Sequence, residues 1–164
     1  MTASTVKHAT FVIERDLPGS PRHAFRFWSE PELKESWTRC HPDWTVLEDT
    51  FDFRVGGEEA KRWRTSEGHE QTFHARYFDI VPGRRIIYAF AMSFKGQSVS
   101  TSLATVEFLP VDGMTRMVFT EQIAFLGDDE AYRMRVAGTE AGFDKLVEVM
   151  RSAVGTGPLS TPRG

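Results

Sequence analysis

The middle of the chain is a succession of strand-like segments separated by turn sequences. Asp52-Phe53-Arg54-Val55-Gly56-Gly57 and Tyr77-Phe78-Asp79-Ile80-Val81-Pro82 each combine strand-forming residues with a turn. Further turns are predicted at Glu67-Gly68 and at Asp112-Gly113, the second being a strong hairpin signal. Because short turns connect antiparallel neighbours, residues 44–124 are predicted to form about six strands of one antiparallel sheet.

Two short helices are predicted directly after a first strand at residues 10–15. Ser20 and Pro21 are residue types preferred at the N-cap and at the first position of a helix, which is expected to run through Trp28. Ser29 and Pro31 repeat the signal, and they predict a second helix that ends near residue 37.

The chain is predicted to close with a long amphipathic helix. Asp128-Asp129-Glu130 places negative charge where the helix dipole favours it. Apolar residues then recur at helical spacing as far as Val154, which gives about seven turns. Gly138 and Gly142 lie inside this helix, where each costs about 1 kcal/mol relative to Ala. Two explanations for these glycines are open: close packing against a strand, which is favoured, and space for a bound molecule.

This order of elements predicts an α+β fold. The expected architecture is a curved antiparallel sheet around a long C-terminal helix, with residues 10–154 as one domain and residues 1–9 and 155–164 as flexible termini. A curved sheet around one helix leaves a hollow between them. That hollow is the first place to look for a ligand.

The chain resembles the START-like, helix-grip superfamily, and within it the family of the activator of the 90-kDa heat-shock protein ATPase. The resemblance covers nearly the whole chain and rests on an ordered set of short motifs: Pro21 with Phe25 and Trp28, Pro31-Glu32-Leu33 with Trp37, the two segments at 52–57 and 77–82 with Arg85, Ser102–Phe108, Thr115-Arg116, Thr120-Glu121-Gln122, and Gly138 before Leu146. It implies the helix-grip fold and one of three activities: binding of apolar small molecules, cyclase-like catalysis, or association with a chaperone.

Composition and net charge limit the classes of molecule that this chain is expected to bind. The net charge of -3 and the pI near 6.0 argue against nucleic acid, which needs a basic field. The basic run at residues 61–64 is interpreted as a solvated surface. A single cysteine, Cys40, excludes an internal disulfide. No signal peptide and no membrane span are recognised, so the expected location is the cytoplasm.

No motif for a cofactor or a metal is found. His69 and His74 are five residues apart in a predicted strand, so they are expected on opposite faces and not in one metal site. Asp52 and Arg54 are two apart, so they share a face and can pair; with Gly56-Gly57 they are expected to fix the hairpin and not to act on a substrate. Glu121 follows Met117 and Phe119 at strand spacing, so it is a weak candidate for an acid or base; the alternative is a carboxylate near the sheet edge, solvated or paired with Arg.

Aromatic residues dominate the predicted inward positions, and part of that set is expected to line the hollow. The predicted ligand-binding residues are Trp28, Trp37, Phe53, Trp63, Tyr88, Phe90, Phe119, Glu121 and Phe143.

Three hypotheses follow from these observations. The first is a protein that binds an apolar or aromatic small molecule. The second is a cyclase-like or hydratase-like enzyme that uses Glu121 with Tyr88. The third is a chaperone-associated interaction domain. A homodimer is also expected to be possible, since unpaired edge strands invite pairing.

Overall fold

The computed structural model describes the backbone of residues 6–160 and the side chains of residues 6–153. Its elements, in chain order, are β1 (Lys7–Leu17), α1 (Pro21–Ser29), α2 (Pro31–Thr38), β2 (Thr45–Phe51), β3 (Glu58–Arg64), β4 (Glu70–Val81), β5 (Arg85–Phe94), β6 (Gln97–Val111), β7 (Met114–Phe125) and α3 (Asp129–Ser160). The α+β fold, the two short helices after the first strand and the long C-terminal helix are confirmed.

All seven strands form one antiparallel sheet in the order β1-β7-β6-β5-β4-β3-β2, so β1 and β2 are its edges. The first strand begins at Lys7, three residues earlier than the sequence predicts, because Lys7 to Ala9 pair with the end of β7. Helix α3 continues to residue 160. Of the predicted flexible termini, residues 1–9 and 155–164, the parts at 1–5 and 161–164 lie outside the described residues.

Turn and cap residues account for most of the boundaries of the helices and strands. The Oγ atom of Ser20 accepts a hydrogen bond from the His23 N–H at 3.2 Å, as an N-cap should. Ser29 does not cap α2 as predicted, because it is the last residue of α1. Glu30 takes the cap position instead and makes no side-chain cap hydrogen bond. Pro31 occupies the first position of α2, so the residue directly before it, Glu30, falls at the N-cap.

The core lies between the inner face of the sheet and the three helices. α1 packs on β6 and β7, and α3 packs on β1 and α2. Leu146 and Met150 of α3 are fully buried there. Arg15 of β1 binds Asp144 of α3 with an Nε–Oδ1 distance of 2.8 Å, which fixes that side of the helix to the edge of the sheet.

Gly138 and Gly142 lie on a different side of α3. No atom lies within 4 Å of the position that a Cβ would take at either residue. The preferred prediction, that these glycines allow close packing against a strand, is therefore wrong. The physical reason is that α3 packs along β1 and α2, and its glycine-bearing side meets open space.

Within residues 6–160, no helix has the length and apolar composition that crossing a membrane requires.

Candidate ligand-binding cleft

Four of the predicted ligand-binding rings meet at the closed end of the space between sheet and helices. The Phe143 ring centre of α3 lies 6.0 Å from Trp28, 6.0 Å from Trp37 and 4.8 Å from Phe119. Trp28 and Trp37 are 5.0 Å apart. These rings pack on one another and fill this part of the core.

Three further predicted residues extend this network along the sheet. Tyr88 of β5 lies 6.4 Å from Trp28 and 5.7 Å from Phe90. Phe53 reaches the same network through Tyr77, whose ring is 4.9 Å from Phe53 and 5.7 Å from Tyr88. Seven of the predicted ligand-binding residues thus form one continuous network of aromatic rings.

Trp63 is separate from this network. It makes no ring contact with another aromatic residue in the described part of the chain, and it lies partly buried on the inner face of β3. Its neighbours in the basic run divide between the two faces. Arg62 and Arg64 point outward to Glu70, whereas Lys61 points inward to Glu59. The solvated interpretation therefore holds for the two arginines and not for Lys61.

Beside the packed rings, incompletely buried residues lie on the inner face of the sheet and on one flank of α3. The sheet wall consists of Trp63, Phe73, Phe90 and Met92 on the inner face of β3 to β5, of which Phe90 alone is buried. The helix wall consists of Arg135, Gly138 and Gly142, which share one flank of α3 because they are three and seven residues apart. This set of residues is called the cleft below.

Arg135 joins the two walls. Its guanidinium donates from Nη1 to Ser100 Oγ and from Nη2 to Glu121 Oε2, each at 2.8 Å. The same Glu121 oxygen accepts from Ser102 Oγ at 2.6 Å. Glu121 is 1% exposed, so it is a buried carboxylate paired with arginine.

The buried position of Glu121 alters its acid–base chemistry. Burial raises the pKa of this carboxyl, and the nearby Arg135 charge and the Ser102 hydrogen bond oppose the rise without cancelling it. Tyr88 lies two strands away in the same transverse row, through Ala104. Burial, reinforced by the Glu121 and Glu59 charges, raises the pKa of Tyr88 well above its ordinary value, so its hydroxyl stays protonated.

A second buried polar cluster was not predicted from the sequence. Lys34 of α2 donates from Nζ to Glu59 Oε1 at 2.7 Å and to the Tyr77 hydroxyl oxygen at 3.1 Å. Tyr77 donates in turn to the same Glu59 oxygen at 2.7 Å. The Lys34 ammonium also lies 4.8 Å from the Phe51 ring centre. The cluster holds α2 onto the inner face of β3 and β4.

Burial and pairing act on this cluster in opposite directions. Burial lowers the pKa of Lys34, although the Glu59 charge works against the decrease. Burial alone would raise the pKa of Glu59, but Lys34 and the Tyr77 hydroxyl stabilise the carboxylate, so its pKa is lowered. Burial also raises the pKa of Tyr77 far above its ordinary value. Glu59 is therefore charged at neutral pH.

The buried positions of some of these residues could have been predicted from the sequence. Lys34 is three residues before Trp37 in a predicted helix, so a cation on the apolar face was foreseeable. Ser100, Ser102 and Ala104 alternate on the inner face of β6, where small side chains leave room. Arg135 offers no comparable signal, because the sequence does not show which flank of α3 faces the sheet.

One buried donor in the ring network has no partner. The indole N–H of Trp28 makes no hydrogen bond to the described residues, although Trp28 is only 2% exposed. The neighbouring Trp37 N–H donates to the Phe27 carbonyl at 2.8 Å. A buried N–H without an acceptor costs about 1–3 kcal/mol, which a ligand oxygen or a water molecule would offset.

Two depressions lie on the opposite, convex face of the sheet. One, of about 680 Å³, is bordered by outward residues such as Thr10, Thr101, Leu103 and Gln122. The other, of about 390 Å³, is bordered by residues such as Glu58, Arg62 and His74. Both are shallow, and neither lies between the sheet and α3.

Two further predictions concern metal ligands and the pairing of Asp52 with Arg54. No group of three or more potential metal-ligating side chains occurs among the described residues. Among the described residues, the hydrogen-bond partner of the His74 ring is Glu58, with Nε2 2.6 Å from Oε1. Asp52 and Arg54 do pair, with an Nε–Oδ2 distance of 2.8 Å, in the turn between β2 and β3.

The curved sheet, the two short helices after its first strand and the long C-terminal helix define a helix-grip protein of the START-like superfamily. The chain belongs to the family described as Activator of Hsp90 ATPase homolog 1-like protein, whose sequence profile matches residues 18–151. This family is known for binding ligands in a hydrophobic cavity.

Solved structures support the same assignment. An uncharacterised protein from Rhizobium leguminosarum is 42% identical, with a TM-score of 0.83, over 90% of this chain and 97% of that chain. The Mll3558 protein from Rhizobium loti is 36% identical, with a TM-score of 0.80, over 87% and 97%. The CV1439 protein from Chromobacterium violaceum shares the fold at 22% identity and a TM-score of 0.64, over 87% and 97%. No curated protein matches the chain.

Proposed function

We propose that this chain binds an apolar or aromatic small molecule in the cleft between β3–β5 and α3. The observation that carries the proposal is the bare helix flank at Gly138 and Gly142, where nothing lies within 4 Å of an added Cβ. Arg135, on the same flank, holds the helix to the sheet, so the open space next to it has a fixed width.

The sheet wall supplies the energy for binding. Trp63, Phe73 and Met92 are only partly buried, and they stand on a concave surface beside the packed rings. Removing apolar surface from water contributes about 25 cal/mol per Å², so a guest that covers about 200 Å² of these side chains gains about 5 kcal/mol. Such a guest would also cover the helix flank, which carries no side chain to compete with it.

Leucine substitutions in the cleft test the proposal. Gly138→Leu and Gly142→Leu would project side chains into the space reserved for the guest. We expect wild type to bind the neutral fluorescent probe N-phenylnaphthylamine, and the two variants to bind it at least tenfold more weakly. The fold should persist, since leucine is a better helix former than glycine.

The matched controls are Ala137→Leu and Ala141→Leu, because both alanines are exposed on the outer side of the same helix. These controls add the same apolar surface outside the cleft and should bind the probe like wild type. Equal probe affinity in wild type and in both glycine variants would overturn the proposal, as would a wild-type protein that does not bind the probe.

Acid–base catalysis by Glu121 is the second candidate. It is favoured by a buried carboxyl with a raised pKa that is tied to Arg135 at the cleft. Glu121→Gln should then abolish turnover of any cleft ligand that wild type converts, while binding of the neutral probe is retained. Unchanged turnover in this variant would exclude the role.

A further inference from the structure

Among the described residues next to the cleft, three cations face the inner side of the sheet, whereas only two buried carboxylates, Glu59 and Glu121, lie there. Arg135 pairs with Glu121, and Lys34 pairs with Glu59, at distances of 2.8 and 2.7 Å. Each of these two cations thus has a carboxylate of its own. Lys61 is the third inward cation, and it has to share a carboxylate that is already occupied.

The contact between Lys61 and Glu59 is long. Lys61 Nζ lies 3.7 Å from Glu59 Oε2, beyond hydrogen-bond distance, whereas the other oxygen of Glu59 accepts from Lys34 and from Tyr77. The Lys61 side chain is only 14% exposed, but its ammonium is not among the fully buried atoms without a partner, so water still reaches it. Among the described residues this ammonium has no acceptor at hydrogen-bond distance, so an anion that displaces the water gains a charge-assisted hydrogen bond.

Asp49 is the remaining acid near this position. It is the register partner of Lys61 across β2 and β3, but it is exposed and forms no ion pair within 4 Å among the described residues. Its charge does attract Lys34 from a distance. Solvent screens an exposed carboxylate, so Asp49 does not replace a direct partner for Lys61.

A transverse row of the sheet connects Lys61 with Arg135. Lys61, Phe73, Met92 and Ser100 are register partners on β3, β4, β5 and β6 in turn. Arg135 binds Ser100 at the far end of the row. Three strand spacings separate the two ends, so the row is about 14 Å long. It presents an apolar strip with an under-paired cation at one end and a neutralised cation at the other.

We propose that the ligand of the cleft is an amphipathic monocarboxylate, with its carboxylate on Lys61 and its apolar body along Phe73 and Met92. This inference rests on the proposed function and adds the chemical class of the guest. The far end of the guest is uncharged, because Arg135 is already neutralised by Glu121. Charged guests with a cationic head are rejected by the same inward lysine.

Decanoate and decanol form a matched pair of ligands for the test, since their chains span a similar length to the row and differ in charge at one end. Isothermal titration calorimetry at neutral pH should give at least tenfold tighter binding of decanoate than of decanol to wild type. Lys61→Met should remove that preference and leave decanol affinity unchanged, whereas Lys61→Arg should retain it. Lys145→Met, at an exposed position on α3, should behave like wild type.

The outcomes separate the two proposals. If decanol binds as tightly as decanoate, or if Lys61→Met weakens both ligands equally, the carboxylate inference is overturned while binding in the cleft stands. If neither ligand nor the neutral probe binds, both proposals fall. Lys61→Gln, which keeps a polar side chain on the strand, provides a second variant should Lys61→Met not fold.

Discussion

The guanidinium carbon of Arg135 lies 5.4 Å from the centre of the Phe90 ring, so α3 is held to β5 by a cation–π contact and to β7 by the ion pair with Glu121. A guanidinium within about 6 Å of an aromatic face is attracted by the ring quadrupole. The contact crosses the space between the two walls of the cleft. Arg135 therefore sets the separation between α3 and the sheet at this point.

Replacing Arg135 should destabilise the protein through Glu121. Arg135→Met leaves a carboxylate that is 1% exposed without its cation, and we expect a loss of about 3 kcal/mol in the free energy of unfolding, measured by urea denaturation. Arg133→Met, at an exposed position two residues away, should change it by less than about 0.5 kcal/mol. Equal losses in the two variants would contradict the assigned role of Arg135.

Lys34 and Glu59 should show strong energetic coupling. Lys34→Met leaves the buried Glu59 carboxylate with only the Tyr77 hydrogen bond and the long Lys61 contact, and should cost about 3–5 kcal/mol. The double variant with Glu59→Gln removes that charge and should cost less than the sum of the two single changes, by about 1–3 kcal/mol. Chemical denaturation of all four proteins in the cycle measures the coupling. Additive losses would show that the pair does not act as a unit.

Glu121 should make stability depend on pH in a defined direction. Its pKa is raised above the ordinary value of 4.5, so at a pH between the two values the folded protein holds a proton that the unfolded chain has lost. The contribution of Glu121 to stability is therefore fully present below about pH 4.5 and is lost as the pH rises through the folded-state pKa.

The measurement that checks this dependence is the difference in unfolding free energy between wild type and Glu121→Gln across the pH range. Groups common to both proteins cancel in the difference. The stability of wild type relative to the variant should fall as the pH rises above about 4.5. A difference that is constant or that rises with pH would be inconsistent with a raised pKa.

Alanine at the helical glycines should increase stability. Gly138→Ala adds a methyl group in open space and improves helix propensity, so a gain of about 0.5–1 kcal/mol is expected by thermal denaturation. Gly113→Ala is the contrasting change. Gly113 has φ of +76° in the turn between β6 and β7, where a side chain is strained, so this variant should be less stable. A loss of stability in Gly138→Ala would indicate a close contact at that position.

Local sequence patterns predicted the elements of the fold because their causes are local. Ser20 caps α1 through a residue three positions away, and Asp128 does the same for α3 through the Ala131 N–H at 2.8 Å. Asp112 and Gly113 both have positive φ, as their turn requires. The wrong assignment of Ser29 arose because two helices meet there with one residue between them, so each cap signal was ambiguous.

The cleft depends on contacts between residues that are far apart in the chain. Lys34 is 25 residues from Glu59 and 43 from Tyr77, and Arg135 is 35 from Ser100, so no local pattern links them. For Gly138 and Gly142, the sequence showed the loss of helix propensity but not what surrounds the two residues in the fold. That answer depends on the side along which α3 docks.

The sequence by itself determined the order of helices and strands, the turns between them and the apolar periodicity of α3, since these follow from backbone preferences and side-chain alternation over a few residues. Only the tertiary structure decided which inward rings pack into a core and which border open space. The reason is that α3 can lie along either side of a curved sheet with the same periodicity. Its ion pairs with β1 and its Arg135 contacts with β5, β6 and β7 select one position.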